Sequence, residues 1–324
     1  MSRPRSTRTT RARHALVMLA TGLAVAILAV ACAHPASAPA LRGPASATTA
    51  RSAAPPACRW AGVPNVLYAS HDTLYQVWSL PASRADGPWQ PADVPDLVAF
   101  RRAVADRLGR AGVAADPASV TRRVIAYYGA KTDRDSRDDA DNGRRVLAGD
   151  VGVIRPLTCL EALLLDTQAR RFSMAQQPTE FHTFILRRGD PDVRRADAGA
   201  APAVADDSLL VYFAASGAPW PPSVRRLAAA VEAKTREGWR VVAHVHNHPF
   251  YLHHLHHLRP DSAGRPTADI AGGLAPSITD VQFYRAMHAG LGLVSAQVTN
   301  GFATVDLPAA AFDRLHARGD APAP

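Results

Sequence analysis

Between residues 157 and 307 the chain alternates segments of strand character with segments of helix character, an order that one sheet with helices packed on it satisfies. Residues 157–172 (LTCLEALLLDTQARRF) predict an amphipathic helix, or a helix running into a strand. Residues 180–186 (EFHTFIL) and 208–215 (SLLVYFAA) are apolar and β-branched or aromatic enough for strands. Residues 221–237 predict a helix with Pro221 at its start and Gly238 just past its end, the asymmetry that helix termini favour. Residues 240–248 (RVVAHVHNH) predict another strand, a long loop follows, and a helix spans 277–289. Two last strands, 293–299 and 302–307, are joined by Asn300-Gly301, a hairpin turn signal. The expected class is α/β, a central mixed sheet flanked by helices.

Residues 59–150 read as a smaller α+β segment ahead of the main domain, which spans 151–318. Residues 65–80 predict one or two strands, 95–108 a helix entered through Asp93, and 117–128 a second helix. Asp133, Asp135, Asp138, Asp139 and Asp141 stand among arginines. Their spacing does not fit the calcium loop of an EF-hand, so residues 131–145 are expected to form a solvated loop. Nothing in this segment converts into chemistry.

The N-terminus predicts export. Residues 1–14 are basic, and residues 15–31 form an apolar run of 17 ending in small side chains, the layout of a secretory signal peptide. The run closes Leu28-Ala29-Val30-Ala31-Cys32, which resembles a bacterial lipoprotein cleavage box and makes Cys32 a lipid anchor to a membrane; cleavage after Ala36-Ser37-Ala38 is the competing reading. Residues 32–58 are almost wholly Ala, Pro, Ser, Thr and Gly, a tether with too few large apolar side chains to order itself. With Cys32 lipidated or removed, Cys58 and Cys159 remain as a pair that an oxidising compartment would join. The net charge of +9 falls to +4 once the five leader arginines are set aside, leaving 32 basic against 28 acidic residues. That excess is too small and too scattered for a nucleic-acid surface.

Side chains on a strand alternate, so His246 and His248 point to one side, and Pro249 ends the strand at once. Further on, Pro276-Ser277-Ile278-Thr279-Asp280 reads as a helix start, with Ser277 at the N-cap and Asp280 near the third position. Two imidazoles and one carboxylate make a three-ligand metal site with a fourth position open to water, the arrangement of a catalytic zinc. Each part alone is weak, because Ser-x-x-Asp is commonly a capping box and His-x-His a packed pair.

Taken together, His246-x-His248-Pro249 followed by Ser277-x-x-Asp280 resembles the signature of the JAMM, or MPN-plus, zinc metallopeptidases. The resemblance covers residues 155–310 and implies an MPN/JAB-like fold. It implies that His246, His248 and Asp280 bind Zn2+, that Glu180 activates water, and that Ser277 helps stabilise the developing oxyanion. The implied reaction is hydrolysis of a peptide or isopeptide bond without a covalent intermediate. With export, the expected substrate is an envelope peptide, a secreted protein or a peptidoglycan cross-link.

The chain departs from the family in the 27 residues 250–276, far more than usually separate the Pro from the Ser, and seven of its 13 histidines lie between 244 and 257. That insertion reads as a lid, a metal-loading segment or a second metal site. Glu161 is a rival to Glu180 as base, and His244, on the face of His246, reads as packing or as an outer partner of the site. Two other functions stay open: a catalytically silent binding module of the same fold, and a His-rich envelope lipoprotein that binds metal.

Overall fold

Among the described residues, eight strands form one mixed sheet. The computed structural model describes residues 57–108, 116–172, 174, 179–188, 207–217, 224–250 and 272–320. The signal peptide, Cys32, nearly all of the tether and residues 251–271 of the insertion lie outside the described residues. In chain order the elements are β1 (Asn65–Ala69), β2 (Thr73–Pro81), α1 (Ala82–Ala85), α2 (Pro95–Leu108), α3 (Ser119–Gly129), α4 (Arg134–Ala148), β3 (Val153–Pro156) and α5 (Cys159–Arg171). They continue with β4 (Phe181–Arg188), β5 (Ser208–Ser216), α6 (Val224–Arg236), β6 (Trp239–Asn247), α7 (Ile278–Leu291), β7 (Ser295–Thr299) and β8 (Ala303–Pro308). The class is α/β, as the alternating pattern predicts. No described helix is long and apolar enough to cross a membrane.

The sheet runs in the order β1-β2-β5-β4-β6-β7-β8-β3, and all neighbouring strands are antiparallel except β6 and β7, whose parallel pairing needs the crossover that α7 supplies. The sheet is covered on both faces, which is why β4, β5 and β6 read as nearly continuous apolar runs. On one face Leu160, Leu163 and Leu164 of α5 and Leu97 and Phe100 of α2 pack with Ile185, Phe213 and Val245. On the other, Leu227 of α6 and Val281 and Tyr284 of α7 pack with Phe184, Leu186, Tyr212 and Val298.

Residues 131–145 are not a solvated loop: 134–148 is α4. Asp133 caps it by accepting from Ser136 N at 2.9 Å, and Arg134–Asp138 and Asp141–Arg145 are i,i+4 pairs at 3.2 and 2.9 Å. Its buried stripe is Ser136, Ala140, Gly143 and Val146, small or polar side chains that carry little hydropathic signal. Gly143 lets α3 come close, since a Cβ there would stand 2.6 Å from Ile125 Cγ1. Residues 157–172 resolve as helix, with the four-residue edge strand β3 ahead of it.

A boundary near residue 150 does not separate the sheet. β2 pairs with β5 along all nine of its residues, β3 pairs with β8, and residues Ala54–Pro324 make one compact unit. The expected bridge joins Cys58 to Cys159 with a Cα–Cα distance of 5.5 Å, closing a loop across 101 positions. Replacing both cysteines with serine is expected to lower unfolding stability by about 2–5 kcal/mol. An unmoved denaturant midpoint would show that the bridge constrains little.

Candidate metal centre

The C-terminal half of β6 carries His244 and His246, His248 follows directly after its last residue, and all three are buried. His182 of β4 stands directly across from His246, and Phe184 across from His244, so the cross-strand register puts these side chains on one face. Phe283 and Tyr284 of α7 close over the rings, with Phe283 4.9 Å from His244 and Tyr284 6.1 Å from His246 between ring centroids.

Asp280 reaches the same point from the first turn of α7. Ser277 caps the helix, accepting from Asp280 N at 3.1 Å, while the Ser277 N–H and O–H both donate to Asp280 Oδ2 at 2.8 Å. The Ser277 hydroxyl is thus spent on aiming the carboxylate. Oδ2 stands 3.4 Å from His248 Nε2 and 3.6 Å from His246 Nε2, and the two Nε2 atoms are 3.1 Å apart. The three ligand atoms lie within 4.8 Å of one another, a group that could hold a metal ion.

The outer hydrogen bonds suit that use. His248 Nδ1 donates to Gly273 O at 2.8 Å; a carbonyl only accepts, so the proton sits on Nδ1 and Nε2 presents its lone pair. His246 Nδ1 lies 3.1 Å from Tyr284 Oη, which leaves Nε2 facing Asp280. Burial holds His246 below the ordinary histidine range against the pull of Asp280, and a neutral imidazole is the form that ligates. Burial alone would raise the Asp280 carboxyl, but the neighbouring His246, and His248 after it, outweigh burial and keep it well below the usual carboxylate range.

Glu180 sits one residue ahead of β4. The antiparallel register pairs His182 with His246, and the same register continued two residues beyond the strands would set Glu180 opposite His248, on the side of His246. The side chain of Asn247 brackets it, accepting from Phe181 N at 2.8 Å and donating to Thr179 O at 3.0 Å. Burial, then Asp280, then Glu180 push the Tyr284 phenol well above its ordinary value, so the Glu180 charge acts within the same pocket. Glu161 does not share it: it belongs to α5 on the opposite face, is 1% exposed, and is held by Arg155 at 2.6 and 2.9 Å.

Pro249 and Gly272, on either side of the insertion, are joined directly: Gly272 N donates to Pro249 O at 2.8 Å, a hydrogen-bonded neck. Gly272 has φ of +68°, and a Cβ there would collide with the Phe250 ring. Asn300 of the β7–β8 turn fixes the neck by donating to Gly272 O at 2.9 Å.

Asn247, Gly273 and Tyr284 are contributors that the sequence reading lacked. His244 is an inner neighbour: its Nε2 lies 3.1 Å from His182 Nδ1, and its Nδ1 is buried with no partner among the described residues. Compared with known proteins, the chain matches no family model, no curated protein and no solved structure.

Proposed function

We propose that the protein is an exported zinc-dependent peptidase or isopeptidase of the JAMM type, hydrolysing an amide bond in an envelope peptide, a secreted protein or a peptidoglycan cross-link. The observation that carries this reading is the convergence of His246 Nε2, His248 Nε2 and Asp280 Oδ2 at the strand end that Glu180 faces. Two nitrogens each about 2.0–2.1 Å from a tetrahedral zinc stand roughly 3.3 Å apart. The separations of 3.1, 3.4 and 3.6 Å fit that triangle. The disulfide is compatible with an oxidising compartment.

Zinc with three protein ligands and an open position supplies Lewis acidity, which acidifies water towards neutral pH and polarises a carbonyl. In this reading His246, His248 and Asp280 hold the ion, and Glu180 is the base that takes the proton of the attacking water and returns it to the leaving amine. Ser277 acts first as a positioning residue, because its hydroxyl donates to Asp280. The role in oxyanion stabilisation suggested by the resemblance needs that hydroxyl to turn towards substrate. Tyr284 and Gly273 orient the two imidazoles.

The test is the zinc content of the purified protein after dialysis, by elemental mass spectrometry, alongside cleavage of an internally quenched peptide library. One zinc per chain is expected, with cleavage lost on chelation and regained on adding zinc. Absence of zinc would overturn the assignment. Several ions per chain without cleavage would favour the metal-binding lipoprotein.

A further inference from the structure

The face of the sheet away from the histidines holds a second cavity, of about 400 Å³, inside the span of about 300–1,000 Å³ usual for small-molecule sites. Its walls include Trp60 and Trp78, whose rings stack at 4.7 Å and 16°. Trp60 is oriented by donating from Nε1 to Thr167 Oγ1 at 3.2 Å. Gln76 and Trp78, two residues apart on one face of β2, both line the cavity. Gln76 Oε1 and Trp78 Nε1 are buried and have no hydrogen-bond partner among the described residues. A native structure seldom leaves two such groups idle, and here one is an acceptor and the other a donor.

We propose that this cavity is a saccharide-binding subsite. A sugar hydroxyl both donates and accepts, so neighbouring hydroxyls of one ring serve the Gln76 carbonyl and the Trp78 N–H alike. The C–H face of a pyranose packs against an indole. Turning the Gln76 carbonyl towards a ligand breaks no hydrogen bond of that oxygen, because it makes none among the described residues.

Other ligand classes fit less well. A peptide that binds through its backbone needs an open strand edge, and β2 is paired on both sides, with β1 and with β5. An anion would meet Arg59, Arg170 and Arg171 but also the carboxylates of Asp93 and Asp166 in the same wall, and Arg170 is held by Asp96 at 3.0 Å and by Asp166 at 2.6 Å while Arg171 donates to Ser70 O at 2.6 Å. The subsite lies on the opposite face from His246 and does not depend on the metal reading.

The test is titration of the purified protein with β-1,4-linked tetraoses of glucose and of N-acetylglucosamine, following indole fluorescence, with tetraalanine as the peptide probe. A saturable change with either tetraose and none with tetraalanine is expected. Gln76→Leu should weaken the tetraose about tenfold, the effect of one hydrogen bond, without lowering the melting temperature, because it removes an unpaired polar group. Trp60→Ala, at a half-buried position ahead of β1 that stacks on Trp78, should remove most of the fluorescence response and serves as the second variant. No saturable response to either tetraose, affinity unchanged in both variants, or binding of tetraalanine instead would overturn the proposal.

Discussion

Replacing Asp280 with asparagine is expected to strip zinc from the protein while leaving helix α7 capped. The amide keeps an oxygen that can accept from Ser277 N and Oγ, as Asp280 Oδ2 does at 2.8 Å, so the N-terminus of the helix loses little. The negative charge is what disappears, and with it one of the three ligands of the proposed site. Loss of an outer partner of a metal site typically costs about 10–100-fold in affinity; loss of a direct ligand should exceed that range. Zinc measured after dialysis should fall from one per chain to near zero, with the circular-dichroism melt close to that of zinc-free wild type. Zinc retained at full occupancy in the variant would mean that the ion sits elsewhere, with the histidine-rich segment the first place to look.

The parts of the site written in local patterns were legible in the chain, and those that depend on distant pairing were not. His246 and His248 share a side because strands alternate, and Ser277 and Asp280 meet because a helix start imposes their spacing. Both rules act over a few residues, and both hold in the structure. Strand position favours Glu180 over its rival Glu161 in the sequence, but no local rule excludes Glu161. What separates them is the face on which α5 packs, a property of contacts with Phe213 and Val245 far along the chain. Asn247, Gly273 and Tyr284 contribute through single hydrogen bonds to partners brought together by the sheet and the insertion neck. No periodicity announces a bond of that kind.

The same distinction explains the fold. The helix over 134–148 was hidden because the side chains it buries are small or polar, and its aspartates and arginines looked like a solvated run. The pairing of strands across residue 150 was hidden for another reason. β2 finds its partner β5 across roughly 130 residues by strand geometry, which composition does not report. The hairpin through Asn300-Gly301, by contrast, needs only its own residues: Asn300 Oδ1 accepts from Phe302 N at 3.0 Å and from Ala303 N at 3.1 Å.

Glu180→Gln is expected to lower amide hydrolysis by about 10²–10⁴-fold, the usual contribution of a positioned general base, with one zinc still bound. Glutamine has nearly the same size and can keep the backbone position that Asn247 fixes on both sides, so a fall in rate reads as loss of a proton acceptor. The other nearby bases are poor substitutes. Burial, with the neighbouring His246 adding to it, lowers His182 to about 3, and burial followed by His182 lowers His244 well below its ordinary value; imidazoles so weakly basic hold almost no proton at neutral pH. His246 and His248 are committed to the metal in this mechanism, and Asp280 is held ionised against them. Activity within a few-fold of wild type in Glu180→Gln, with zinc unchanged, would move the proton transfer to a residue outside this constellation, whereas loss of zinc together with activity would recast Glu180 as a fourth ligand. Only the combination of retained zinc and lost turnover assigns it the base.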